Sequence, residues 1–352
     1  MCRNTMKALS ALMCLTLIFL LSSCVYVKDS KSLYNPNDFV NGYQNTSDVN
    51  CAKSGQEITS LKPETYITIR GEQFCTALTT LNLAGKNLTN EDLSLLIYFT
   101  SLESLVVSDS QISDLAPLTG LVNLTKLRLE WNYISDLTPL SNLTNLTSLY
   151  LESNQIVDTI PLASLLNLEH LDLRNNAVSD VTPLAYLTNL SFLNLSYNQI
   201  SDFASITQLP NLQVLNLNGN KICDLAAIAG LTNLRGLGLD NNQINDLTPL
   251  ARLTDLRGLS LNNNKINNIA PLANLTEIDS LRLDGNQISD LSPLVGLTNL
   301  SWLVLSNNQI SDITSLADAN WSVWISLDLS GNPITDWSHI EHLHSVEGRP
   351  EQ

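Results

Sequence analysis

Positive charge, aromatic rings and histidine are scarce in this 352-residue chain, and each shortage removes a class of function. Eighteen Lys and Arg residues face 34 Asp and Glu, for a formal charge of −16. A surface of that sign repels phosphate backbones, so no nucleic-acid partner is expected. The six cysteines include no CxxC pair and the four histidines no HExxH spacing, so no metal site is expected. His339, His342 and His344, grouped with Glu341, read as a solvated end of the chain. His170 falls near Asp172 and Arg174, but no serine or cysteine is set apart as a nucleophile, so neither an enzyme nor a cofactor is expected. The apolar run from Ala8 to Leu21 is short for crossing a bilayer.

What the chain has in abundance is leucine at fixed intervals. A 22-residue phrase recurs without a gap from Leu102 to Trp321, with copies beginning at positions 102, 124, 146, 168, 190, 212, 234, 256, 278 and 300. Degenerate copies flank it. One starts at Leu78, is 24 residues long and shifts its asparagine to Asn87; the other runs from about Trp324 through Leu327, Leu329 and Asn332. Self-similarity at this period indicates a solenoid in which no copy buries its apolar face until a neighbour stacks on it.

Each position in the phrase answers a physical demand. Leu127-x-Leu129 alternates with period two, which predicts a short strand with leucines inward and Lys126, Arg128 and Glu130 outward. Asn132 follows where the chain must turn, and its amide can satisfy backbone groups that a buried turn leaves unpaired. Asp136 precedes Leu-x-Pro-Leu, where a carboxylate caps the amides of one helical turn and Pro139 loses nothing by lacking an N–H. Ser110 replaces the asparagine in one copy, Asn268 the aspartate in another, and Thr159 and Ile160 invert the usual order in a third.

This phrase, with Ile-Ser-Asp-Leu-x-Pro-Leu at its centre, resembles the leucine-rich repeats of the internalin-like, SDS22 type over roughly residues 78 to 343. The resemblance implies an α/β repeat solenoid: a horseshoe with a concave parallel β-sheet and short 3₁₀ or α turns on the convex side. It also implies a non-enzymatic module that binds a protein through the concave face. About twelve repeats would fill 78–343, with an N-terminal cap at 51–77 and a C-terminal tail at 344–352. Internalins carry a long domain after the repeats and an LPxTG wall-sorting signal, neither of which is seen here.

The first residues read as an export signal, 1–23, with Arg3 and Lys7 ahead of the apolar run. It ends in Leu21-Ser22-Ser23-Cys24, which resembles the bacterial lipobox. That resemblance implies lipidation of Cys24 and a location in the bacterial cell envelope, lipid-anchored and extracytoplasmic; an ordinary signal with a chance cysteine is the alternative. Residues 24–50 lack periodicity and read as a flexible tether. Cys51 and Cys75 both fall in the cap, and a disulfide closing that loop would contribute roughly 3 kcal/mol.

The outward strand positions, with the residue before each asparagine, are free to vary without disturbing the core. From Lys126 to Tyr197 they gather Arg128, Trp131, Tyr150, His170, Asp172, Arg174, Phe192 and Tyr197. Rigidly held aromatic and arginine side chains dominate interface energetics, so this set is the expected ligand-binding surface for a protein, with a carbohydrate the other ligand open. Further along, Gly236, Gly238, Gly258 and Ser260 offer a small-residue surface. The chain is expected to act as a monomer. Two other roles share the repeats: an assembly scaffold within the envelope, and an intracellular phosphatase regulator that would leave Leu21-Ser22-Ser23-Cys24 unexplained.

Overall fold

The computed structural model describes residues 66–350. The expected signal, tether and lipidation site, and Cys51, lie outside the described residues. Cys75 is buried and disulfide-bonded, and Cys223 is a free, exposed thiol.

Thirteen parallel three-residue strands, β3 (Thr80–Asn82) to β15 (Ser345–Glu347), stack in sequence order into one sheet. They are short because Leu-x-Leu is the only alternation before each turn. The pairing holds every leucine level with its counterpart, as in Leu127 beside Leu149 and Leu149 beside Leu171. In one copy Leu127, Leu129, Ile134, Leu137, Leu140, Leu143 and Leu146 all lie in the continuous core. Full burial of such side chains contributes about 1.5–3 kcal/mol each before entropy is subtracted. The sheet has one strand more than the twelve expected, because Ser345–Glu347 pairs with β14 (Ser326–Asp328) inside the stretch read as a tail.

The asparagines form the expected ladder. Asn132 Oδ1 accepts the Ile112 N–H at 3.0 Å, while its Nδ2 donates to the carbonyls of Val107 at 2.7 Å and Leu129 at 3.1 Å. The same pattern recurs at Asn220, which accepts from Ile200 and donates to Leu195 and Leu217. Ser110 substitutes in part, its Oγ accepting the Leu88 N–H at 3.1 Å. Asn87 instead adopts a left-handed backbone, and its carbonyl accepts from Arg70 Nη2 at 2.8 Å.

On the convex side each copy makes a 3₁₀ turn such as Thr138–Leu140, with proline near its start. Asp136 Oδ1 accepts the Thr138 N–H at 2.8 Å, and Asn268 does the same for Ala270 at 2.9 Å. Hydrogen bonds from the Thr138 side chain and backbone hold the Asp136 carboxyl below its ordinary range. Thr159 occupies a buried leucine position, its Oγ1 donating to the Asp180 carbonyl at 3.2 Å.

The N-terminal end of the core is covered by an antiparallel hairpin of β1 (Tyr66–Ile69) and β2 (Glu72–Cys75), with Ile69 and Phe74 buried. Arg70 in its turn pairs with Asp92 of α1 (Asn90–Ser94) at 2.7 Å.

Candidate functional site

The concave face is built in columns. β5 (Lys126–Arg128), β6 (Ser148–Tyr150), β7 (His170–Asp172) and β8 (Phe192–Asn194) place Arg128, Tyr150, Asp172 and Asn194 in register side by side. Next to them run Lys126, Ser148, His170 and Phe192. Beyond the strands come Glu130, Glu152, Arg174 and Ser196, and then the residue before each ladder asparagine.

The eight expected ligand-binding residues are thus brought onto one surface, but not all are open. Tyr150 is only 6 % exposed, Phe192 7 % and Asp172 3 %, and Glu130 is buried as well. The cause is strand spacing. Neighbouring strands lie only about 4.8 Å apart and the concave curvature draws the outward tips together, so long side chains lie along their columns and cover one another. Arg128 lies over the Tyr150 ring, 5.2 Å from its centroid, and the His170 and Phe192 rings stack at 6.2 Å. Arg128 pairs with Glu130 at 2.6 Å, Glu130 also accepts from Ser108 Oγ at 2.5 Å, and Arg174 pairs with Glu152.

Asp172 sits beneath this layer. Its Oδ1 accepts the Arg174 N–H at 2.9 Å, and Asn194 Nδ2 approaches Oδ2 at 3.3 Å. Burial pushes its pKa up to about 6, against the pull of Arg174 and with a further push from Glu152 and Glu130. Burial likewise lowers the His170 pKa, which Lys126 reinforces and Glu169 opposes.

The second half of the face differs from the expected small-residue surface. Gly236, Gly238, Gly258 and Ser260 are all buried. Asn216 and Asn218 lean across Gly238, where an added Cβ would meet their Oδ1 atoms at 2.6 and 2.9 Å. Asp240 is held there by Ser260 Oγ at 2.5 Å and the Asn262 N–H at 2.7 Å. Further on, Arg282 stacks 4.1 Å from the Trp302 ring centroid. A 440 Å³ cavity lies on the convex-turn flank, lined in part by Asp246, Lys265 and Asn268, but Asp246 and Asn268 are engaged in capping their own turns.

One feature of the site was missed by sequence reasoning. The residue before each ladder asparagine takes a left-handed backbone, with φ between about 54° and 66° from Trp131 through Asn307 in nine copies. Six of these positions hold Asn175, Asn241, Asn263, Asn307, Gly219 and Gly285, types suited to that conformation. Trp131 (φ 58°) and Tyr197 (φ 56°) are not. Trp131 is 52 % exposed, and Tyr197 is half-buried, its pKa raised first by burial and then by Asp240. The recurring Asn and Gly were the available signal.

Among the described residues, no helix is long and apolar enough to cross a membrane and no group of His, Cys, Asp or Glu side chains converges to hold a metal ion. The family model described as leucine rich repeats in two copies matches residues 144–186, 188–230, 232–274 and 276–318. A comparison with curated proteins gives no match. Among solved structures, an internalin from Listeria monocytogenes, internalin F, is 34 % identical with a TM-score of 0.73, covering 80 % of this chain and 91 % of its own. Internalin C2 from the same organism is 35 % identical with a TM-score of 0.51, covering 54 % of this chain and 85 % of its own. The functional domain of InlJ, also from Listeria monocytogenes, shares the fold at 23 % identity and a TM-score of 0.62, covering 72 % of this chain and 55 % of its own. With the asparagine ladder, the 22-residue period and these matches together, the chain belongs to the leucine-rich repeat family in its internalin-like form.

Proposed function

We propose that the protein is a non-enzymatic binding module whose concave face, between Lys126 and Tyr197, holds a protein partner at the bacterial cell envelope. The observation that carries this reading is the placement of Trp131 and Tyr197. A left-handed backbone costs a bulky residue on the order of 1–3 kcal/mol, and six other copies avoid that penalty with asparagine or glycine. Neither ring is sunk in the leucine core, so core packing does not repay the strain. Recognition of a ligand does. Beside them, stacked and ion-paired side chains are already fixed, which lowers the entropy lost on binding.

The tether and acyl anchor on Cys24 would hold this face away from a membrane, and adhesion or host contact is the role that suits it. Two measurements test the reading. Intact mass and membrane partitioning of the native chain and Cys24→Ser should show an acylated product beginning at residue 24 only in the former. Affinity for a protein partner unchanged by Trp131→Ala and Phe192→Ala together would remove the concave face from the binding site.

A further inference from the structure

The left-handed residues form a rim along the exit ends of the strands, perpendicular to the strands themselves. Trp131 and Tyr197 are three copies apart on it. Three strand intervals of about 4.8 Å place them about 14 Å apart, and four residues of extended chain, at about 3.4 Å each, span the same distance. Side chains i and i+4 of an extended chain also point to the same face. Three residues reach only about 10 Å, and both three and five turn the second side chain away.

Between the two rings the rim is low and polar. It holds Ser153 and Asn175, with Asn175 Nδ2 donating to Ser153 Oγ at 3.0 Å. The Tyr197 ring packs on Gly219, where an added Cβ would sit 2.5 Å from Cδ1, so the Cδ1–Cε1 side of the ring is backed by bare backbone.

The exposed charge on the rim is acidic: Asp109 is the neighbour of Trp131 there. The arginines nearby are matched within the chain, Arg128 by Glu130 and Arg174 by Glu152. No Lys or Arg occupies a rim position from Gly85 to Gly331, and the chain as a whole carries −16. A field of that sign draws cationic segments toward it, and a planar guanidinium stacks on an aromatic face better than an ammonium does.

We propose that the rim from Asp109 to Gly219 is a track for an extended, basic peptide segment whose arginines at i and i+4 stack on Trp131 and Tyr197. The inference rests on the reading of the concave face as a protein-binding surface and names the partner chemistry for its strand-exit edge.

Calorimetry on the full chain tests it with capped heptapeptides of serine and threonine. One carries Arg at positions 2 and 6, a second Arg at 2 and 5, a third Glu at 2 and 6; a neutral β-linked hexose oligomer is the fourth probe. The 2,6-arginine peptide should bind at least tenfold tighter than the 2,5 isomer and weaken with salt, and the glutamate peptide should give no binding. Trp131→Asn and Tyr197→Asn should each weaken the 2,6 peptide about tenfold or more, in a fold kept intact because other copies carry asparagine at this position. Equal affinity for the two arginine isomers, binding of the sugar but not the peptide, or indifference to both variants overturns the track. A folded partner that still binds the Trp131→Asn, Tyr197→Asn double variant but not Phe192→Ala overturns the track alone and leaves the concave-face reading standing.

Discussion

The ring of Tyr197 lies over the Cα of Gly219, so close that a Cβ there would fall 2.5 Å from Cδ1 and 2.8 Å from Cε1. The two positions are equivalent in adjacent copies, and Asn263 stands in the same relation to Gly285, with its Oδ1 2.3 Å from such a Cβ. At these two places glycine one copy later leaves room for the overlying side chain, whereas Trp131 is followed by Ser153. Ser153, which is small, is followed by Asn175 instead. Gly219→Asn tolerates the backbone but collides with the ring, and should lower stability by about 1–3 kcal/mol. Adding Tyr197→Ser should restore most of it, with a coupling of about 1 kcal/mol or more in a denaturation double-mutant cycle.

Trp131→Asn should make the protein more stable by about 1 kcal/mol, since asparagine accepts the left-handed backbone that tryptophan resists. The same change should weaken ligand binding. A stability gain paired with a loss of function separates a recognition residue from a packing residue, and a chemical denaturation curve beside a binding isotherm reads both.

The periodicity carried most of the fold. Leu-x-Leu specified strand and register, and the asparagine and aspartate positions specified the turns, because each answers a local backbone demand that is visible in one copy. The site was less legible. That Tyr150 and Phe192 are covered follows from strand spacing and curvature, which arise only after copies stack. The small-residue surface failed for a related reason: Asn216 and Asn218 fill the space above Gly238 from the copy before. The rim was encoded, but in the contrast between Trp131 or Tyr197 and the Asn and Gly of other copies, and not in any single phrase.

Asp172 should impose a measurable pH dependence. Its folded pKa of about 6 exceeds the ordinary 3.8, so between these values the folded state binds more protons than the unfolded state. Stability attributable to this group is therefore highest below about pH 4, declines as pH rises to about 6, and stays reduced above it. Asp172→Asn, matching Asn194 in the next strand, should raise stability near pH 7.5 by about 2–3 kcal/mol and flatten that window. Denaturation midpoints at pH 4.5 and 7.5 check the sign.

Asn220→Ala should do damage of a more local kind. It removes the hydrogen bonds donated to the carbonyls of Leu195, Leu217 and Asn218, and leaves the Ile200 N–H buried without its acceptor. A loss of about 3 kcal/mol or more is expected. Since each copy touches only its neighbours, hydrogen exchange should quicken first at Ile200 and nearby amides, and only weakly at the ends of the sheet.

The constant 22-residue period makes distance along the rim a stepped quantity. Because the copies from Asn132 onward are bolted together by the same asparagine bonds, a lineage can lengthen or shorten the gap between two rim residues there only by whole copies, about 4.8 Å at a time. Gene duplication would thus act on this surface as a ruler, with intermediate separations inaccessible however the sequence drifts.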